Sequence, residues 1–230
     1  MSIYAIGDLH LSGRPPAKPM SVFAPEWENH WEKIQKSWLA AVRKEDLVII
    51  CGDISWAMRF PDALGDLKEI AAMPGGKVLI RGNHDFWWTG LAKMNAAIGG
   101  GCFFLHNNFY AAGGLAVCGS RGWLTPNAPD FTEKDDAIYR RELIRAESSL
   151  LSAKRAGYEK PLLALHYPPL YVDGKPTGFS ALCEKYQARI CVYGHLHGES
   201  GVLGYQGEKD GTIYSLVAAD ALGFQLKLTL

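Results

Sequence analysis

Five apolar runs of this chain share one construction, and it restricts the fold more than any other feature. Leu47-Val48-Ile49-Ile50-Cys51 carries five apolar residues in succession and then breaks at Gly52-Asp53. Successive strand residues point to opposite faces, so a run apolar at every position needs cover on both sides. Ile3-Tyr4-Ala5-Ile6 ends the same way at Gly7-Asp8-Leu9-His10. Val78-Leu79-Ile80 ends at Arg81-Gly82-Asn83-His84-Asp85. Leu162–Leu165 ends at His166, and Ile190–Tyr193 at Gly194-His195-Leu196-His197. Packing does not call for carboxylates, an amide and imidazoles at strand exits, because each is costly to desolvate without a partner. In open α/β sheets ligands bind outside the carboxyl ends of the strands. Parallel neighbours would bring these five exits together.

The intervening segments supply helices. Trp27, Trp31, Ile34, Trp38 and Ala41 recur at spacings of three and four and predict a helix from Trp27, with His30 on it as a surface or half-buried residue. A second helix is expected over 61–72, with Leu64, Leu67 and Ile70 inward, and a third over 89–98. Prolines 15, 16, 19 and 25 make the segment 11–25 a surface loop. Residues 103–105, 109–111 and 115–118 read as short strands around the Asn107-Asn108 and Gly113-Gly114 turns, an antiparallel section. A charged helix is expected over 132–156, with Ile138, Leu143 or Ile144, Leu150 and Leu151 inward. Strands near 201–205, 212–217 and 224–230 complete the chain.

At 230 residues the chain can build one sizeable α/β core, and no linker divides it, so 1–230 reads as a single domain. Zero formal net charge gives no footprint for nucleic acid or an anionic membrane, although a local basic patch would be compatible with it. No stretch approaches the length of a membrane span, and the first residues lack a signal-peptide pattern. Five scattered cysteines do not form a disulfide framework. The expectation is a reduced, cytoplasmic protein.

Seven of the strand-exit groups suit a metal: Asp8, His10, Asp53, Asn83, His166, His195 and His197, with His84 left over. One tetrahedral zinc takes three or four ligands. Seven suit two ions sharing a carboxylate, with positions left for water and substrate. Such pairs, about 3.5–4 Å apart, serve phosphoryl chemistry. Imidazole-rich ligation favours transition metals over Mg and Ca.

In order, Gly7-Asp8-Leu9-His10, Gly52-Asp53, Gly82-Asn83-His84-Asp85, His166 and Gly194-His195-Leu196-His197 resemble the five signature blocks of the calcineurin-like metallophosphoesterases. The whole chain further resembles a bacterial branch of predicted phosphohydrolases. The resemblance implies a four-layer αββα sandwich of two mixed β-sheets flanked by helices. It implies that Asp8, His10 and His197 hold one metal, that Asn83, His166 and His195 hold the other, and that Asp53 bridges. The cofactors would be two divalent or trivalent transition-metal ions, Mn, Fe or Zn. His84 would contact the phosphate and protonate or stabilise the leaving oxygen. The implied reaction is attack of a metal-bound hydroxide on a phosphate mono- or diester of a small molecule or nucleotide.

The chain departs from two subfamilies. Asp53 is followed by Ile54-Ser55-Trp56, not by the Asp-Arg-Gly run of the protein phosphatases or the tyrosine ligand of the purple acid phosphatases. The partner that orients His84 is therefore open, with Asp85 a candidate. Arg121 and Arg59 are candidate phosphate contacts, and Trp87 a candidate for stacking on an aromatic leaving group. Two rivals stand beside this reading, a nuclease of the same superfamily and a non-catalytic scaffold with the same fold.

Overall fold

The computed structural model describes residues 1–230. Strands β1 (Ile3–Ile6), β2 (Leu47–Cys51), β3 (Gly76–Ile80) and β4 (Cys102–Phe104) pair in parallel, and a two-residue antiparallel strand, Lys227–Leu228, closes the edge beside β1. The second sheet runs β5 (Phe109–Ala112), β6 (Leu115–Ser120), β7 (Leu162–Leu165), β8 (Ile190–Tyr193), β10 (Thr212–Leu216) and β9 (Gly207–Lys209). Within it β6, β7, β8 and β10 are parallel, with β5 and β9 antiparallel at the two edges.

The continuous apolar runs have the two covered faces their sequence requires. Leu47, Ile49 and Cys51 of β2 lie between the sheets beside Leu162 and Ala164 of β7 and Ile190 and Val192 of β8. Val48 and Ile50 face outward against α1 (His30–Ala41), α2 (Phe60–Ala72) and α3 (Leu91–Ile98). Leu163, Leu165, Cys191 and Tyr193 face α4 (Glu133–Arg155) and α5 (Gly178–Tyr186). The layers are thus helices, sheet, sheet, helices. Each fully buried Leu or Ile contributes roughly 1.5–3 kcal/mol to holding them together. The sheets also meet directly at one rim, where the Gly7 N–H donates to Val217 O and the Ala219 N–H to Gly7 O.

Several local expectations need correcting. The first helix starts at His30, and Trp27 ends a short 3-10 turn, Pro25–Trp27. β4 joins the first sheet in parallel, so only β5 and β6 form the expected antiparallel pair. Residues 198–203 form a 3-10 helix, not a strand, with Val202 three-quarters exposed. The third terminal strand shrinks to Lys227–Leu228. The buried face of α4 is Tyr139, Glu142, Ala146, Ser149, Leu150 and Ala153, while Ile144 is exposed. The sequence pattern does not single out helix α5, although Thr177 caps it by accepting from the Ser180 N–H and Phe179, Leu182 and Cys183 mark its buried stripe.

Candidate metal centre

The exits of β1, β2, β3, β7 and β8 converge on the rim where the sheets meet. The chain reverses sharply there, with Asp8 at φ 61°, His10 at 46°, Asp53 at 49° and His195 at 73°, all left-handed. That region is costly for residues with a Cβ, by about 1 kcal/mol or more each, and clusters at functional sites. Backbone bonds between neighbouring exits hold the reversals: Asp8 N–H donates to Gly52 O at 2.9 Å, and His10 N–H to Asp53 O at 2.9 Å. Two glycines admit the carboxylates. A Cβ at Gly82 would overlap the Asp53 carboxylate, and one at Gly194 the Asp8 carboxylate.

The seven candidate ligands form two groups around Asp53. On one side Asn83 Oδ1 lies 2.6 Å from His166 Nε2 and 3.1 Å from His195 Nδ1. On the other, His197 Nε2 lies 3.3 Å from both Asp8 Oδ1 and His10 Nε2. Asp53 Oδ2 stands between them, 3.5 Å from His166 Nε2 and 3.8 Å from His10 Nε2.

Hydrogen-bond chemistry tests whether cations fit. His166 Nδ1 is 2.9 Å from the Cys51 carbonyl, which can only accept, so Nδ1 carries the proton. Burial pushes the His166 pKa down, keeping the ring neutral. Its Nε2 therefore offers a lone pair, aimed at the Asn83 amide oxygen, another acceptor. His197 repeats the pattern: Nδ1 faces Asp220 Oδ1 at 3.0 Å, leaving Nε2 toward Asp8 and His10. Acceptors facing acceptors at these distances need a cation or a proton between them. The imidazole, carboxylate and amide donors suit transition-metal ions.

Protonation follows from burial and neighbours. Burial alone would push Asp8 up, but His197, His166 and His10 hold it well below the usual carboxylate range. Asp53 is pushed up to about 7 by burial and by Asp8. Burial holds His10 and His195 down at about 3, so both are neutral lone-pair donors at ordinary pH. Burial opposes a charge on His197, yet Asp8 and Asp220 raise it to about 10. Without a metal, His197 carries the proton that the facing acceptors require.

His84 stands apart from the ligands. Its backbone N–H donates to Asp53 Oδ1 at 2.8 Å, while its half-buried ring meets Trp56 at 4.4 Å and His10 at 5.8 Å between centroids. Burial first, then His166 and Lys18, push its pKa down. Asp85 does not orient it. That carboxylate is fully buried and accepts from the Gly82, Ile54 and Ser55 N–H groups and from Trp87 Nε1–H, tying the exits of β2 and β3 together.

Of the three expected substrate contacts, Trp87 and Arg59 lie away from this rim, whereas the Arg121 carbonyl accepts from the His166 and Tyr167 N–H groups. Trp87 is 1% exposed and packs in the core against Phe60 and Trp88. Phe86 takes the exposed place beside His84, which turns the following tryptophan inward. Arg59 points to solvent and pairs with Asp62 at 2.9 Å. Arg121 leans over Trp123 and toward the buried Glu142, 3.5 Å away. His30 is structural, with its two ring nitrogens 3.0 Å from Trp27 O and 2.8 Å from Leu9 O. The sequence pattern assigns no role to Asp220, and it marks Trp56 only as standing where purple acid phosphatases carry a tyrosine ligand. Asp220 was detectable only as a carboxylate soon after β10, which is parallel to β8.

The fold resembles the crystal structure of a protein of unknown function from Aquifex aeolicus, with a TM-score of 0.52, 14% identity, and 98% of this chain and 94% of that chain covered. No curated protein matches the chain. The family model for calcineurin-like phosphoesterases matches residues 1–199, which contain every candidate ligand. The converging strand exits thus lie inside the matched region, and the chain belongs to the calcineurin-like phosphoesterase family.

Proposed function

We propose that the protein hydrolyses a phosphate mono- or diester of a small molecule or nucleotide at a dinuclear metal centre, with residues 1–230 acting as one domain. Asp8, His10 and His197 would hold one ion, Asn83, His166 and His195 the other, and Asp53 both. The observation that carries this reading is the convergence of seven potential metal donors from five strand exits around Asp53, with a free imidazole beside them. Bound transition metals there would neutralise charge on the phosphoryl group and lower the pKa of water.

The remaining roles fall to the chain's own residues. At neutral pH the His84 ring would hydrogen-bond the phosphoryl or leaving oxygen through its one N–H, and protonation of the leaving oxygen would come from the doubly protonated ring. An anionic ester beside it opposes the downward push of burial and favours the protonated ring. Asp220 fixes the His197 tautomer, and the Cys51 carbonyl fixes that of His166. Asp85 holds the exits that carry Asp53 and Asn83 in register.

Metal analysis of the purified protein, combined with turnover of a panel of aryl, alkyl and nucleotide mono- and diesters, tests the proposal. Two transition-metal ions per chain and metal-dependent release of phosphate or of a phosphomonoester are expected. A fully loaded protein that turns over no ester would overturn it.

A further inference from the structure

The rim that carries the candidate centre holds a second group of charged side chains. The centre uses the exits of β1, β2, β3, β7 and β8. Next along the rim, β3, β4 and β6 lead to Arg81, His106 and Arg121. β4 runs parallel to β3 and β6 to β7, so these exits open on the same side as the candidate ligands. Together with Glu142 and Arg145 of α4 they line one small recess. Two links tie it to the core-side ligands. Arg81 stands two residues before Asn83, and the Arg121 carbonyl accepts from the His166 and Tyr167 N–H groups, each at 3.0 Å.

The charges of this recess do not balance. Three guanidinium groups line it with one carboxylate, which leaves two positive charges. Glu142 is buried, and its Oε1 lies 2.7 Å from Arg145 Nη1 and 3.5 Å from Arg121 Nη2, while its Oε2 has no donor. Arg141 adds a further cation from the outer surface, 3.9 Å from the same Oε1. Half-buried Arg81 forms no ion pair, and its buried Nε–H has no acceptor. The buried Nε–H of Arg121 has none either. Burial pushes the Arg121 pKa down, and Arg81 adds to that push against the pull of Glu142. His106 supplies no negative charge, since burial and then Arg145 lower its pKa and keep the ring neutral. Arginine stays charged in proteins, and removing such a charge from water without a partner is costly. Unpaired buried groups in a native fold call for a partner from outside.

We infer that Arg81, Arg121 and Arg145 form a phosphate subsite beside the metal centre, filled by a second phosphate of the substrate or by free inorganic phosphate. The first of these sources rests on the phosphoesterase reading above and narrows it to esters that carry two phosphates. Guanidinium groups match phosphate oxygens in geometry, and an excess of two positive charges suits a phosphate dianion better than a carboxylate. The recess itself is narrow, about 10 Å³, room for one oxygen-sized atom. The phosphate therefore enters by one oxygen, and the rest of its molecule stays outside.

Calorimetric titration of the metal-loaded protein tests the subsite without turnover. The probes are alkylphosphonates of three to eight carbons and the bisphosphonates of the same lengths. At the length that spans centre and recess, the bisphosphonate should bind about tenfold tighter or more, the range that hydrogen bonds to a charged group supply. Arg81→Gln should remove most of that gap. Because Arg81 adjoins Asn83, Arg145→Gln repeats the test from α4, at a residue that touches no candidate ligand. A gap that peaks at one length and falls in both variants identifies a second phosphate of the substrate. No gap at any length, with a binding event for inorganic phosphate that both variants lose, identifies the free anion; either supports the subsite. A gap that survives both variants would overturn it, as would no gap together with phosphate binding that neither variant changes. Failure of the phosphoesterase reading looks different: no alkylphosphonate binds the loaded protein, while phosphate binding still depends on Arg81 and Arg145.

Discussion

The two halves of the candidate centre are built from different materials. Around Asn83, His166 and His195 the fixed points belong to the core: His166 is fully buried, its Nδ1–H goes to the backbone carbonyl of Cys51, and the largely buried Tyr167 ring lies 4.0 Å from His195. Around Asp8, His10 and His197 the buried Asp8 carboxylate accepts from the His195 N–H, but the two histidines are fixed by side chains of loops. His197 remains 30% exposed and is oriented by Asp220, while His10 Nδ1 has no partner and its ring is positioned by Trp56. A backbone carbonyl is present whatever residue occupies position 51, whereas Asp220 and Trp56 can be lost by one substitution. The core-side half is therefore expected to be the tighter and less adjustable metal position.

The largest effect should come from the one ligand common to both halves. Asp53→Ala is expected to empty both positions, read by metal analysis; retention of both ions would show that Asp53 does not join them. His84→Ala should leave both halves loaded and cut turnover by roughly 10²–10⁴-fold, the usual contribution of a general acid. Unchanged turnover in that variant would remove His84 from the chemistry. Asp220→Asn addresses the comparison directly. Loss of an orienting carboxylate typically costs 10–100-fold in metal affinity, and here the loss should fall on one of the two ions only. Equal weakening of both, seen in a metal titration, would break the distinction between the halves.

The smallest effect is a difference in pH dependence. His197, at about 10, is protonated at neutral pH and must release that proton to bind a metal, whereas His195, at about 3, has none to release. Affinity at the loop-side position should therefore rise about tenfold per pH unit between 7.5 and 9. The core-side position should stay nearly flat over that range. Parallel slopes in titrations at several pH values would contradict the assignment.

What the sequence revealed follows the same division. Strand exits were legible because a carboxylate or imidazole directly after an apolar run has no packing explanation, and all seven candidate ligands sit at such exits. Contacts made by loops were not. Trp87 follows His84 closely in the chain, yet the bend at Phe86 buries it, and Trp56 reaches the rim from a different exit. Asp220 acquires its role only because β10 lies beside β8, a pairing that local pattern does not encode. Gly201–Tyr205 mimicked a strand through apolar residues between glycines, but Val202 points to solvent and the segment coils. Helix α5 was readable from its cap and its Phe179, Leu182 and Cys183 stripe, and its nine residues were too short to stand out.

The bridge between Gly7 and Ala218 has a consequence for biosynthesis. The first candidate ligand, Asp8, follows a residue whose backbone partners, Val217 and Ala219, are translated more than two hundred residues later. Until β10 is made, the N-terminal exits can pack on the first helices and on β7 and β8, but lack the residues that bridge the sheets at the rim. Closure of the candidate centre around Asp8 should therefore wait for β10 and the residues that follow it, making metal loading a late step of folding.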